Sequence, residues 1–299
     1  MVILVIFLSS LFGWLFWVLY KTDWLVISRP AGQLPHRESK PVVEAVVSPQ
    51  RSLVREAVAY LLVIGVVEAV TMFLHPLGGL IGHAVVLATV IVRSSRISEM
   101  SYRRLVLSLA LVPLVRIVDL SMSLSLLTIP VAGRFAIVYT PMLVTSIIVM
   151  RILGYGRDDV GLNFKSLPLQ LGLASSGLLL GWGEYLILKP EAMITQLTWS
   201  EALPLALILM VFTGFAEEFA FRGVLQRSAV GVFGWRGIVY VSVLFAIMHM
   251  GFHSLADVAF VFGVAMFFGW VVKKTGSLFG VSLAHGVTNV MLFLILPFF

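Results

Sequence analysis

"LPLALILMVFTGFAEEFAFRGV" occupies residues 203–224. By hydropathy it is a membrane span, since about 20 mostly apolar residues cross the hydrocarbon layer. By charge it is an anomaly, because Glu217, Glu218 and Arg222 fall inside it. Ionisable groups in a span are costly and need a partner or a function. The reading of the whole chain turns on which of the two these residues have.

The rest of the sequence supports the membrane reading. The chain has 299 residues, 60% of them hydrophobic and 12% charged, with a mean hydropathy of +1.03. A soluble core does not need that much apolar surface, so the composition indicates an all-α, polytopic membrane helical bundle. The absence of cysteine excludes disulfides, thiolate metal ligands and a cysteine nucleophile. The formal net charge of +6 reads as basic residues kept in cytoplasmic loops, with no nucleic-acid partner.

About ten apolar spans of suitable length can be drawn, at 2–20, 57–74, 77–92, 105–128, 135–153, 168–188, 202–222, 237–252, 256–272 and 277–297. The first lacks a basic region before it and a small-x-small site after it, so it reads as a retained helix and not a signal peptide. The segment 21–53 is the only long polar stretch, with Pro30, Pro35, Pro41 and Pro49, and reads as a cytoplasmic connector. Basic residues fall in alternate loops: around 21–55, 93–104, 151–165, 227–236 and 273–274, against only Arg134 and Lys189 on the other side. The positive-inside rule then places the basic loops in the cytoplasm and both termini outside a cell membrane.

Several polar residues inside spans have simple packing explanations. Glu68 reads as a neutral, hydrogen-bonded packing carboxyl, and His83 as a packing histidine. Arg116 and Asp119 stand three apart on one helical face and read as a structural ion pair. Glu184, near an outer boundary, reads as reaching water, and His253 as a histidine at a span's outer end.

A second group clusters. Glu218 and Arg222 are four apart and can pair, whereas Glu217 is turned by about 100° from Glu218 on a regular helix. Arg222 can therefore hold one carboxylate and leave the other free. His285 and Asn289 are also four apart, and His249 lies on the span between. Counted from the nearest basic residue, Glu217, His249 and His285 lie roughly 15–20 Å deep, close to the midplane of a layer about 30 Å thick. Three helices thus bring an acid, two imidazoles and an amide to one level. Gly276, Gly280 and Ala284 form a small-xxx-small ridge that allows close helix approach. A carboxylate beside an imidazole can activate water, and an imidazole and a carboxamide can stabilise an oxyanion. No H-E-x-x-H or other local ligand pair occurs, so the expected metal set is none. A proton-coupled transporter is the rival among active proteins, but no inverted repeat is visible.

These residues also form a pattern. "EEFAFR" (217–222), "FAIMH" (245–249) and "HGVTN" (285–289) resemble the E-E-x-x-x-R, F-x-x-x-H and H-x-x-x-N motifs of the CPBP (CAAX protease and bacteriocin-processing) intramembrane protease family, related to the type II CAAX prenyl proteases. The resemblance covers about 200–293, and "DDVGLNFKSLPLQLG" (158–172) looks like the segment that precedes the core in bacterial members. It implies a metal-independent glutamate-type endopeptidase that needs no cofactor. Glu217 would activate water with His249, His285 and Asn289 would form the oxyanion hole, and Glu218 and Arg222 would support the site. It implies a core at 151–299, preceded by membrane helices in 1–150, with membrane lipids and a peptide or membrane-protein substrate as partners. A non-proteolytic immunity or scaffold protein remains the alternative.

Overall fold

The computed structural model of the chain describes residues 51–123 and 131–299. The span expected at 2–20, nearly all of the connector 21–53 and the end of the span expected at 105–128 lie outside the described residues. Among the described residues every regular element is helical. They are α1 (Arg51–Phe73), α2 (Pro76–Ser95), α3 (Met100–Ser108), α4 (Leu111–Ser123), α5 (Val131–Ile152), α6 (Leu167–Ala174), α7 (Ser176–Leu188), α8 (Trp199–Phe233), α9 (Arg236–Ile247), α10 (Leu255–Thr275) and α11 (Phe279–Val290).

Seven stretches among the described residues are long and apolar enough to cross a membrane. They make the chain an all-α, multi-pass membrane protein. Two expected spans differ from a single regular crossing. The span expected at 105–128 is broken between α3 and α4. Pro113, in the first turn of α4, has no N–H to return to the Leu109 carbonyl, which takes the Val112 N–H at 3.2 Å instead, so the ladder is interrupted where α3 gives way to α4. The span expected at 237–252 is shorter, with α9 passing into a 3₁₀ turn at Met248–Phe252.

One apolar core runs from Ala57 of α1 to Ala284 of α11 and includes the fully buried Ile64, Tyr102, Phe219 and Phe268. Leu62, Val66, Leu179, Trp182, Leu207 and Trp270 face outward and are exposed. An exterior so rich in large apolar side chains suits lipid as its solvent.

The basic loops gather at one end. Arg93 binds Glu56 through two hydrogen bonds of 2.6 and 2.9 Å. Arg104 and Arg227 lie over the Tyr155 ring, at 5.1 and 5.9 Å from its centroid. Asn163 donates to the Gly276 carbonyl at 2.8 Å. Loops that are far apart in sequence thus share the end that the charge pattern groups together.

The buried ions of the N-terminal helices depart from expectation. Glu68 is not a neutral packing carboxyl: Arg116 donates to both its oxygens at 2.6 Å, and His83 Nε2 lies 3.0 Å away. The third guanidinium nitrogen donates to Asp119 at 2.8 Å, which is the expected pair. Sequence spacing shows Arg116–Asp119 because both sit on one helix. It cannot show Glu68–Arg116, which joins α1 to α4.

The small ridge on the last helix also needs correction. Gly276 lies outside α11; it closes α10 in the left-handed region at φ 67°, where a side chain is disfavoured. The ridge on α11 is Gly280, Ala284 and Thr288, packed against Gln170, Gly177 and Gly181 of α6 and α7.

Arg116→Ala should strip the compensating charge from a fully buried Glu68 and destabilise the fold by about 3–5 kcal/mol. The measurement is thermal unfolding in detergent, in which the double variant Glu68→Gln/Arg116→Met should recover much of the loss.

Candidate active site

α8 carries the first two acids and is not uniformly wound. π turns at Leu209–Phe215 and Phe219–Leu225 flank a short α turn, Ala216–Glu218. Thr213 contributes locally, because its hydroxyl donates to the Leu209 carbonyl and competes with the backbone ladder. Single π turns inside helices concentrate at functional sites. Glu217 and Glu218 both belong to the α turn and diverge as a regular helix predicts, and His285 meets them with its two different ring nitrogens. Both reach His285. Its Nδ1 is 2.9 Å from Glu218 Oε1, and its Nε2 is 3.9 Å from Glu217 Oε2.

α8 and α11 come this close because Gly214 has no side chain. A Cβ there would stand 2.7 Å from both the Gly286 nitrogen and the Ser282 carbonyl oxygen. Backbone therefore meets backbone, as small residues permit between membrane helices.

Arg222 Nη1 lies 3.2 Å from Glu218 Oε1, with both side chains buried. Its guanidinium also stacks over the Phe245 ring at 4.0 Å. Arg222 thus holds Glu218, as the spacing predicts. Glu217 is placed differently, by the Tyr139 hydroxyl of α5, which interacts with its carboxylate.

His249 sits in the 3₁₀ turn after α9, with Nδ1 3.0 Å from the Phe245 carbonyl. A carbonyl only accepts, so Nδ1 carries the proton and Nε2 keeps its lone pair in the neutral ring. Asn289 Nδ2 donates to Thr213 Oγ1 at 2.8 Å. The Thr213 hydrogen is already committed to Leu209, which orients the amide nitrogen toward Thr213 and leaves it one further N–H.

These groups meet at a cavity of about 30 Å³ lined by Glu184, Glu218, His249, His285, Thr288 and Asn289. That volume holds one or two water molecules. Phe245, Phe260 and Phe268 complete the wall. Glu217 is not in the lining; it stands on the Nε2 side of His285. A second, polar pocket of about 290 Å³ lies among the basic loops and reaches Arg222 from behind.

Glu184 corrects an expectation, since it does not reach water. It is only 7% exposed and forms part of the cavity wall, because α10 and α11 pack over the outer part of α7. His253 is exposed at the end of its turn, with its ring 5.7 Å from that of Phe73. Tyr139 and Thr213 were missed by sequence reasoning. Thr213 stands one residue before the glycine at the helix crossing, which is a weak signal. Tyr139 gives none, because it reaches the site from a separate helix.

A membrane-embedded helical bundle that gathers carboxylates, imidazoles and an amide around a space the size of a water molecule has the makings of a candidate intramembrane acid–base site. Residues 199–291, about a third of the chain, match the model of the family described as type II CAAX prenyl endopeptidase Rce1-like, in agreement with the resemblance drawn from the motifs. The match likens this segment, at family level, to a CAAX-type intramembrane protease. No curated protein and no solved structure matches the chain.

Gly214→Val should drive a side chain into the α8–α11 crossing and destabilise the protein by about 1–3 kcal/mol or more. Gly231→Val is the control, since a Cβ there meets nothing within 4 Å. Thermal unfolding of the two variants side by side checks this, and only the first should shift.

Proposed function

We propose that this protein hydrolyses a peptide bond within or beside the membrane, using water activated by Glu217 and His249 and an oxyanion hole formed by His285 and Asn289. The observation that supports this most is the cavity of about 30 Å³ where His249, His285 and Asn289 meet with Glu218 alongside. Such a space holds a nucleophilic water and little else. At 3.9 Å, Glu217 and His285 Nε2 are close enough for one water to touch both.

In this reading Arg222 neutralises Glu218, so Glu218 anchors His285 through Nδ1 while Glu217 accepts the proton of the attacking water. His249, with its Nε2 lone pair, shares that proton. The oxygen of the scissile carbonyl takes hydrogen bonds from His285 Nε2, once that ring is doubly protonated, and from the remaining N–H of Asn289. The Asn289 N–H is in place before charge develops, which is the condition for electrostatic stabilisation of a transition state, and His285 adds its donor as an imidazolium held between Glu217 and Glu218. The basic end of the bundle faces the cytoplasm and a peptide substrate enters from that side. Turnover requires no metal.

Glu217→Ala should lower cleavage about 10²–10⁴-fold while leaving thermal unfolding nearly unchanged. Comparative membrane proteomics should reveal an uncleaved precursor in cells carrying the variant. Identical profiles would instead favour a non-catalytic scaffold. Activity in the presence of a strong chelator should persist; a loss restored by one divalent ion would reassign the water-activating role to that ion.

A further inference from the structure

The cavity has one acid that the three motifs do not include. Glu184 comes from α7, outside the segment that matches the family, yet it shares the wall with Glu218, His249, His285 and Asn289. It is nine-tenths buried. The two carboxyls have unlike neighbours. Glu218 carries a guanidinium at 3.2 Å and an imidazole N–H at 2.9 Å. Glu184 makes no hydrogen bond or ion pair among the described residues. The charged groups that act on it are Asp257 of α10, His285 of α11 and Glu217 of α8. Asp257 is itself fully buried, with neither carboxyl oxygen bonded.

Glu184, with no cation beside it among the described residues, shares a water-sized space with a carboxylate held by cations, and in such a pair the unpaired group is the one that keeps a proton and can supply it. In so small a cavity its lining side chains lie within about one or two waters of one another.

We propose that Glu184 is the general acid of the site and delivers a proton to the leaving amine. The proposal rests on the hydrolase reading. Water adds to the scissile carbonyl carbon, and its proton passes to Glu217. Collapse of the tetrahedral intermediate breaks the carbon–nitrogen bond, and the nitrogen takes the proton from the Glu184 carboxyl. Glu184 is left as carboxylate and Glu217 protonated; one proton passed from Glu217 to Glu184 by way of His285, which faces Glu217 and lines the cavity, restores both.

The test uses the full-length protein in detergent, with a peptide spanning the cleavage site of the precursor found by proteomics, and an aryl ester of the same acyl segment. An aryl oxide departs without a proton, whereas an amine does not. Glu184→Gln should lose about 10²–10⁴-fold on the peptide and little on the ester, and the fall of its rate at high pH should disappear. Glu184→Asp should recover part of the peptide activity. Glu217→Ala should lose both substrates. Equal losses on both substrates in Glu184→Gln, or none on either, would overturn the assignment. Infrared spectra give an arm independent of turnover: wild type minus Glu184→Gln should show the C=O stretch of a protonated carboxyl. Its absence overturns this proposal alone, while a wild type that shows the band but cleaves nothing overturns the hydrolase reading and the acid role with it.

Discussion

Glu218 is the point on which the site depends. It is fully buried, and it is tolerable there only because Arg222 supplies charge and His285 supplies an N–H. Those two partners lie on different helices, so solvating one carboxylate ties α8 to α11. The same constraint fixes the imidazole plane. Once Nδ1 is committed to Glu218, Nε2 faces Glu217, and the ring forms part of the wall of the water-sized space.

The close approach that this contact requires comes from glycine. Gly214 lets the α8 backbone touch that of α11. π turns stand on either side of Ala216–Glu218, and the two acids of that turn meet the two nitrogens of one imidazole. The wider winding weakens the local ladder, and the tertiary contacts across the crossing compensate. Asn289 is fixed by the same region, since the Thr213 hydroxyl that perturbs the ladder also receives its amide.

A second buried ion group stands on the N-terminal helices. Arg116 spends all three guanidinium nitrogens on Glu68 and Asp119. Tyr139 lies within electrostatic reach of Arg116 and Asp119 and also interacts with Glu217. The helices before residue 150 therefore do more than add membrane area: α5 supplies the side chain that positions the acid proposed as base. Glu184 on α7 extends the same point, since residues outside the family-like segment complete the cavity wall.

What could be read from the linear chain was whatever depends on one helix at a time. Apolar length marked the spans, because the hydrocarbon layer demands about 20 apolar residues whatever the neighbours do. Charge in alternate loops grouped the ends, and i, i+4 spacing identified Glu218–Arg222. Relations between helices were beyond it. Spacing could not say that Glu68 meets Arg116, that Glu184 turns inward under α10 and α11, or that Tyr139 reaches Glu217. Regular winding separated the two glutamates, but it could not say that one histidine of α11 would meet both. Periodicity is a property of a single element, whereas the pairing of buried charges is decided by which helices pack together and how closely their backbones approach.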